Sequence, residues 1–275
     1  MRIAVVGAGN MGGAIARGLV KAGTVRAADV TVSDISEAVL LGFSERGCST
    51  THDNVEAVKG ADVVFVVVKP WLVEEVVKGL RAGLDYASQI FVCIAAGITP
   101  EQLSEWLGQD ADGRTIQSFL VIPNTAIDVL QSMTFISPVH ADQASVDLVK
   151  GLFDTMGSSM VIEYGMMAAA TAVASCGIAY AMRYILDAAR GGVEMGFDPS
   201  EAVPVVCQTM IGAIGLMTRE GADPEAEIVK VCTPGGLTLK GLKEMEEAGF
   251  TSAVIRGLKA SVQCNASLSR SAPMS

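Results

Sequence analysis

Histidine is scarce in this chain: of 275 residues only His52 and His140 are histidines, with no Cys or acidic cluster around either. Both are expected as surface or loop residues, and no metal site is expected. The six cysteines (Cys48, Cys93, Cys176, Cys207, Cys232, Cys264) form no C-x-x-C pair and no metal-ligand spacing. Scattered thiols of this kind read as small buried hydrophobes in a reducing, cytoplasmic compartment. Positive charge is also short, giving a formal net charge of −10. That argues against a phosphate-gripping nucleic-acid surface and disfavours a polybasic membrane patch. The apolar run after Met1 stops at Gly7, too short for a secretory signal.

What is present is hydrophobic: half the residues are apolar and only 18% are charged, enough for a large core and two domains. Up to about residue 161, apolar runs alternate with helical patterns, which predicts a parallel sheet of βαβ units. Ile3–Val6, Val30–Ser33, Val63–Val68, Ile90–Ile94, Thr115–Val121 and Met133–Ser137 read as strands. Met11–Lys21, Ser36–Arg46, Val55–Lys59, Glu74–Leu80 and Pro100–Leu107 read as helices, the last opened by a Thr99 hydroxyl cap and Pro100.

Beyond residue 161 the alternation stops. Glu163–Met195, Pro199–Arg219, Pro224–Cys232, a segment after Pro234-Gly235-Gly236, and Thr251–Leu268 read as helices. The expected architecture is therefore α/β followed by all-α. Residues 1–161 form a Rossmann dinucleotide-binding domain and 162–275 a helical dimerisation and substrate domain. Tyr164 to Met182 carries no charge and reaches membrane-spanning length, but its Ala, Gly, Ser and Thr content predicts a helix buried inside protein. Ala202–Thr218 is equally uncharged. Two helices apolar all round call for a second subunit, so a homodimer or dimer-based oligomer is expected. The tail from about Arg270 is expected to be disordered.

Gly7-Ala8-Gly9-Asn10-Met11-Gly12 is a G-x-G-x-x-G placed after a strand and opening a helix, with Asp34 about twenty residues on. Gly7 serves the tight turn, Gly9 the approach of a pyrophosphate and Gly12 close helix packing, while the helix N-terminus offers free N–H groups. Asp34 stands where a carboxylate binds both ribose hydroxyls of NAD and repels a 2′-phosphate; alternatively it caps the helix that starts near Ser36. No Arg follows closely, so NADH is favoured over NADPH.

With these pieces in place, the chain resembles the Δ1-pyrroline-5-carboxylate reductases from Met1 to about Ser267. The resemblance rests on the glycine loop, on Val68-Lys69-Pro70, on Ala95-Ala96-Gly97-Ile98-Thr99 and on Pro123-Asn124-Thr125. Its most specific part is Thr233-Pro234-Gly235-Gly236-Leu237-Thr238, with Gly241-Leu242 and Glu246 beyond. It implies that Asn54, Val67, Val68, Lys69, Pro70, Ala95 and Ala96 line the cofactor. It also implies that Gly235, Gly236 and Thr238 hold the substrate carboxylate and ring nitrogen; read alone, the Pro-Gly-Gly run is equally an ordinary helix break. Lys69 either adds positive potential or plays a structural part at a strand end.

The implied reaction is reduction of 1-pyrroline-5-carboxylate to L-proline, in proline biosynthesis, with Thr238 as the catalytic hydrogen-bond partner of the ring nitrogen. Departures gather near the substrate: Ser175, Cys176 and Ile178 replace a Gly-Ser-(Gly)-Pro run, Leu237 replaces a Thr, Lys230 a polar residue and Tyr164 an acid, and Ser118 to Ile122 lacks an Arg. They leave open a six-membered imine such as piperideine-2-carboxylate, or a non-catalytic NAD-binding paralogue.

Overall fold

The computed structural model describes residues 1–268; the tail expected to be disordered from Arg270 lies outside them. An eight-stranded sheet, in the order β3-β2-β1-β4-β5-β6-β7-β8, organises the first part. Its strands are β1 Ile3–Val6, β2 Val30–Ser33, β3 Ser49–Thr51, β4 Val63–Val66, β5 Ile90–Cys93, β6 Gln117–Ile122, β7 Ser132–His140 and β8 Gly157–Val161. All neighbours run parallel except β6 and β7, which pair antiparallel.

Between and after the strands lie α1 Asn10–Lys21, α2 Glu37–Ser44, α3 Asn54–Val58, α4 Val73–Leu80, α5 Pro100–Leu107 and α6 Gln143–Asp154. Successive residues of β1, β4 and β5 point to opposite faces, and both faces are covered, so the strands read as unbroken apolar runs. Ile3, Val5, Phe65 and Val92 pack with Ile15 and Leu19 of α1 and with Phe153 of α6. Ala4, Val64, Val66 and Phe91 pack on the other face with Val77 of α4 and Leu103 of α5. Phe65 and Phe153 meet edge to face, ring centroids 6.0 Å apart. Thr99 caps α5 as its sequence predicts, accepting from the Gln102 N–H while the Gln102 side chain returns the bond.

Four elements differ from the sequence reading. The edge strands β3 and β8 are short and polar, and α6 has Asp142 as its cap, accepting from the Ser145 N–H at 2.8 Å. The single helix expected over Glu163–Met195 is broken. A 3-10 turn Tyr164–Met166 leads into α7 Met167–Ala170, then a π-helical turn Thr171–Cys176, then α8 Gly177–Glu194. Thr171 turns its hydroxyl onto the Met167 carbonyl at 2.7 Å, and Ser175 donates to the Pro123 carbonyl at 3.0 Å, bonds that hold the wide turn open.

Two compact units emerge among the described residues, 1–175 with 261–268, and Cys176–Ala260. The second consists of α8, α9 Pro199–Met217, α10 Pro224–Val231, α11 Leu237–Glu247 and most of α12 Phe250–Leu268. Asp198 caps α9, with Pro199 in its first turn. The expected burial of the uncharged helices is corrected for the single chain. In the most apolar window of Tyr164–Glu194 only 17% of the residues are buried, and in Pro199–Met217 only 6%, at mean hydropathy 1.4 in each. Val173, Ile211 and Ile214 are each more than half exposed.

A candidate dinucleotide cleft at the strand ends

The sheet order reverses at β1 and β4: the chain runs outward through β2 and β3, then returns to β4 on the other side of β1. A crevice at such a switch point, outside the carboxyl ends of the strands, is where open parallel sheets bind ligands. Here a cleft of about 610 Å³ opens there, lined from the ends of β1, β2, β4 and β5 by Gly7, Gly9, Asp34, Val68, Lys69 and Ile94 among others. That size suits a small-molecule or cofactor site.

Each glycine of the loop has its own reason. Gly7 has φ +87, and a Cβ there would stand 2.6 Å from the Val67 carbonyl oxygen. At Gly12 a Cβ would stand 1.9 Å from the Gly7 oxygen, so helix and turn meet only through hydrogen. Gly9 is different: nothing lies within 4 Å of its would-be Cβ. It is the N-cap of α1 and supplies no side-chain cap; the Gly13 N–H is the first to reach back, to the Gly9 carbonyl at 2.8 Å. The N–H groups of Asn10 to Gly12 therefore have no partner within the helix and stand at the positive end of its dipole. Open space at Gly9 and donors behind it fit a pyrophosphate.

The N-cap of α2 is Ser36, and the Asp34 carboxylate accepts from two backbone N–H groups. Its Oδ1 accepts from the Ser36 N–H at 2.9 Å, guiding the chain into α2, and its Oδ2 accepts from the Ala8 N–H at 2.7 Å. The carboxylate is thereby fixed between the glycine loop and α2, lining the cleft. Asn54 is tied to the same strand end, its Oδ1 accepting from the Ser33 hydroxyl at 2.8 Å. Lys69 is exposed and precedes the 3-10 turn Pro70–Leu72.

Of the cofactor residues expected from sequence, Gly7, Gly9, Asn10, Met11, Asp34, Asn54, Val67, Val68 and Lys69 line this cleft. Ala8 and Gly12 are buried behind it, Pro70 is exposed, and Ala95 and Ala96 follow β5 without lining it. Sequence reasoning passed over Ile35, Leu72 and Val76, which line the cleft too. Ile35 is 98% exposed, an apolar side chain at a strand end with nothing covering it.

His52 is an exposed loop residue, as expected, and both of its ring nitrogens face acceptors. Nδ1 lies 2.8 Å from the Asp34 main-chain oxygen and Nε2 lies 2.8 Å from Glu37 Oε2. The Glu37 carboxylate, and after it the Asp34 carbonyl, raise its pKa above the ordinary histidine value.

Gly235, Gly236 and Thr238 belong to the second unit and open α11. Gly235 has φ +69, and a Cβ at Gly236 would stand 2.3 Å from the Thr233 hydroxyl. Gly236 donates to the Thr233 carbonyl at 2.8 Å, closing the turn, and it caps the helix without a side chain. The first N–H groups of α11, Thr238 included, are left for an anion. Lys230, one of the departures, is paired with Glu227 on α10. Ser175 and Asn124 join the π-helical turn to the loop after β6: Ser175 bonds Pro123, and the Asn124 amide reaches the Ala174 carbonyl at 3.5 Å.

Comparison with known proteins gives two family matches. Residues 165–268 match the family described as pyrroline-5-carboxylate reductase dimerisation. Residues 2–97 match the one described as NADP oxidoreductase, coenzyme F420-dependent. Pyrroline-5-carboxylate reductase 1 of Dictyostelium discoideum is 32% identical over 278 residues, covering 97% of this chain; the chain spans only 49% of that relative's length. Pyrroline-5-carboxylate reductase 2 of the same organism is 31% identical, covering 95% of this chain and 91% of the relative. The crystal structure of Plasmodium falciparum pyrroline carboxylate reductase with NADP bound shares the fold, with a TM-score of 0.86 at 21% identity and 98% of both chains covered.

Proposed function

Because the chain belongs to the pyrroline-5-carboxylate reductase family, we propose that it reduces 1-pyrroline-5-carboxylate to L-proline with a reduced nicotinamide dinucleotide. The observation that carries this reading is the presence, within one chain, of two helix N-termini whose N-cap is a glycine and which therefore have no side-chain cap. One, at Gly9, lies in the switch-point cleft; the other, at Gly236, follows a Gly-Gly turn. The first suits a pyrophosphate and the second a small carboxylate.

The bound dihydronicotinamide supplies the hydride that the imine carbon receives. A protonated imine is already electrophilic, so the protein's share is orientation and charge placement. The N–H groups of Asn10 to Gly12 hold the pyrophosphate. Asp34 accepts from the ribose hydroxyls, and its negative charge favours NADH over NADPH. Asn54, Val67, Val68, Lys69 and Pro70, with Ala95 and Ala96, complete the cofactor's surroundings. N–H groups around Gly235 and Gly236 clamp the substrate carboxylate, and the Thr238 hydroxyl hydrogen-bonds the ring nitrogen. Residues 1–161 carry the cofactor and 162–275 the substrate turn and the self-association surface, in a cytoplasmic homodimer or larger dimer-based oligomer.

Loss of the reduced cofactor's near-ultraviolet absorbance with pyrroline-5-carboxylate, run beside piperideine-2-carboxylate, tests the reading. The five-membered ring should turn over faster. Preference for the six-membered ring would move the assignment to that substrate, and binding of cofactor without turnover of either would leave a non-catalytic paralogue. Thr238→Ala should lower kcat by about 10²-fold or more while leaving NADH affinity within about twofold; collapse of cofactor binding would make Thr238 structural.

A further inference from the structure

His52 is the one side chain beside the Asp34 corner whose charge changes in the physiological range. Its two ring nitrogens each face an atom that can only accept: the Asp34 main-chain oxygen at 2.8 Å and Glu37 Oε2 at 2.8 Å. A neutral imidazole has a single N–H and can satisfy one of them; the imidazolium satisfies both. Loss of the proton therefore sets a ring lone pair against one of these oxygens. The yielding partner is Glu37, whose side chain is 81% exposed, since the Asp34 carbonyl is fixed in the backbone.

Apart from Lys69, the other charged groups about this corner are acidic. Asp53 and Glu75 line a second cleft together with His52, and that cleft shares Asn54 and Val76 with the dinucleotide cleft. The Asp53 carboxylate is occupied by the N–H groups of Val55 and Glu56 at the start of α3, and Glu56 accepts from the Thr51 hydroxyl. Lys69 is the single cation among the residues lining the dinucleotide cleft. His52 is thus the local source of removable positive charge.

We propose that His52 is a positioning residue for cofactor selection: its imidazolium holds and offsets the Glu37 carboxylate beside the ribose corner, so discrimination against a 2′-phosphate is weaker with the ring protonated and stronger once it is neutral. The proposal rests on the reading of Asp34 as the ribose ligand. Its sign is fixed by charge: protonation takes away net negative charge where NADPH brings two more. The raised His52 pKa places the change at the upper side of the ordinary histidine range.

The test is direct binding. Affinities of the full-length protein for NADH and NADPH are measured by calorimetry from about pH 5.5 to 8.5, for the wild type, His52→Asn and Glu37→Gln. The NADPH-to-NADH ratio of dissociation constants should rise with pH in the wild type by about two- to fivefold more than in His52→Asn. Glu37→Gln should lower the ratio and move its rise to lower pH. Ionisation of the 2′-phosphate itself acts equally in all three proteins, so the difference between profiles isolates the side chains. With only two histidines, the His52 resonance is identified by its loss in His52→Asn; its titration midpoint should coincide with the binding profile and fall in Glu37→Gln. Asp34→Ser separates the two ideas. If it relaxes selectivity while the wild-type and His52→Asn profiles coincide, the role of His52 fails alone. If it leaves selectivity unchanged, the ribose reading fails and the proposal with it.

Discussion

Two glycines three positions apart make opposite demands on the same loop. At Gly12 a methyl group would lie 1.9 Å from a backbone oxygen that cannot swing aside, so Gly12→Ala should cost about 1–3 kcal/mol of stability or more. At Gly9 the same methyl meets nothing and the backbone has φ −61, which alanine adopts freely. Gly9→Ala should lose only about 0.5 kcal/mol, the cost of a poorer N-cap. Its NADH affinity, however, should fall about tenfold or more, because the methyl occupies the space of the pyrophosphate. Thermal melts of both variants with and without NADH check this. A Gly9→Ala protein still stabilised by NADH as strongly as wild type would place the phosphates elsewhere. Asp34 shows the same division of labour within one side chain: one oxygen serves the fold at Ser36, the other the glycine loop at Ala8.

Elements show where sequence is informative and where it falls silent. Val63–Val66 and Ile90–Cys93 are legible because both of their faces are buried, which forces continuous apolar runs. Ser49–Thr51 and Gly157–Val161 carry no such run; as outer strands they are specified by ladder partners, which a local pattern does not reveal. The π-helical turn at Thr171–Cys176 escapes notice for a related reason, since the Ser175 bond that supports it reaches back to Pro123. In the cleft, the glycine loop and Asp34 are legible through motif spacing, whereas Leu72 and Val76 become site residues only by where the folded α4 lies. Where chemistry is local, sequence suffices, as at Thr99. Removal of its capping hydroxyl in Thr99→Ala should cost about 1 kcal/mol. For a unit of this size that is about 2–4 °C in Tm, while cofactor affinity stays unchanged. A larger loss would show that α5 supports more than its own first turn.

At the scale of the whole molecule the question is what covers α8 and α9. Monomeric proteins seldom expose long contiguous apolar surface, yet Val205, Ile211, Ile214 and Met217 are each more than 40% exposed along one helix. A membrane is one possible cover for helices of this length and hydropathy. The capped start at Asp198 and the Arg183–Asp187–Arg190 ion pairs on α8 argue instead for protein, as does the dimerisation family matched over residues 165–268. Obligate interfaces of this kind behave as a core divided between two chains, and a charge placed in one is costly. Ile211 and Ile214, three residues apart, share a helix face. The pair Ile211→Glu and Ile214→Glu should therefore give a monomer by light scattering at concentrations where the wild type is oligomeric. NADH binding should persist, because the cleft is built wholly from residues of the first unit. Imine reduction should fall far more than cofactor affinity if the partner chain completes the substrate site. A double variant that stays oligomeric would show that this face of α9 is not the one a second copy covers.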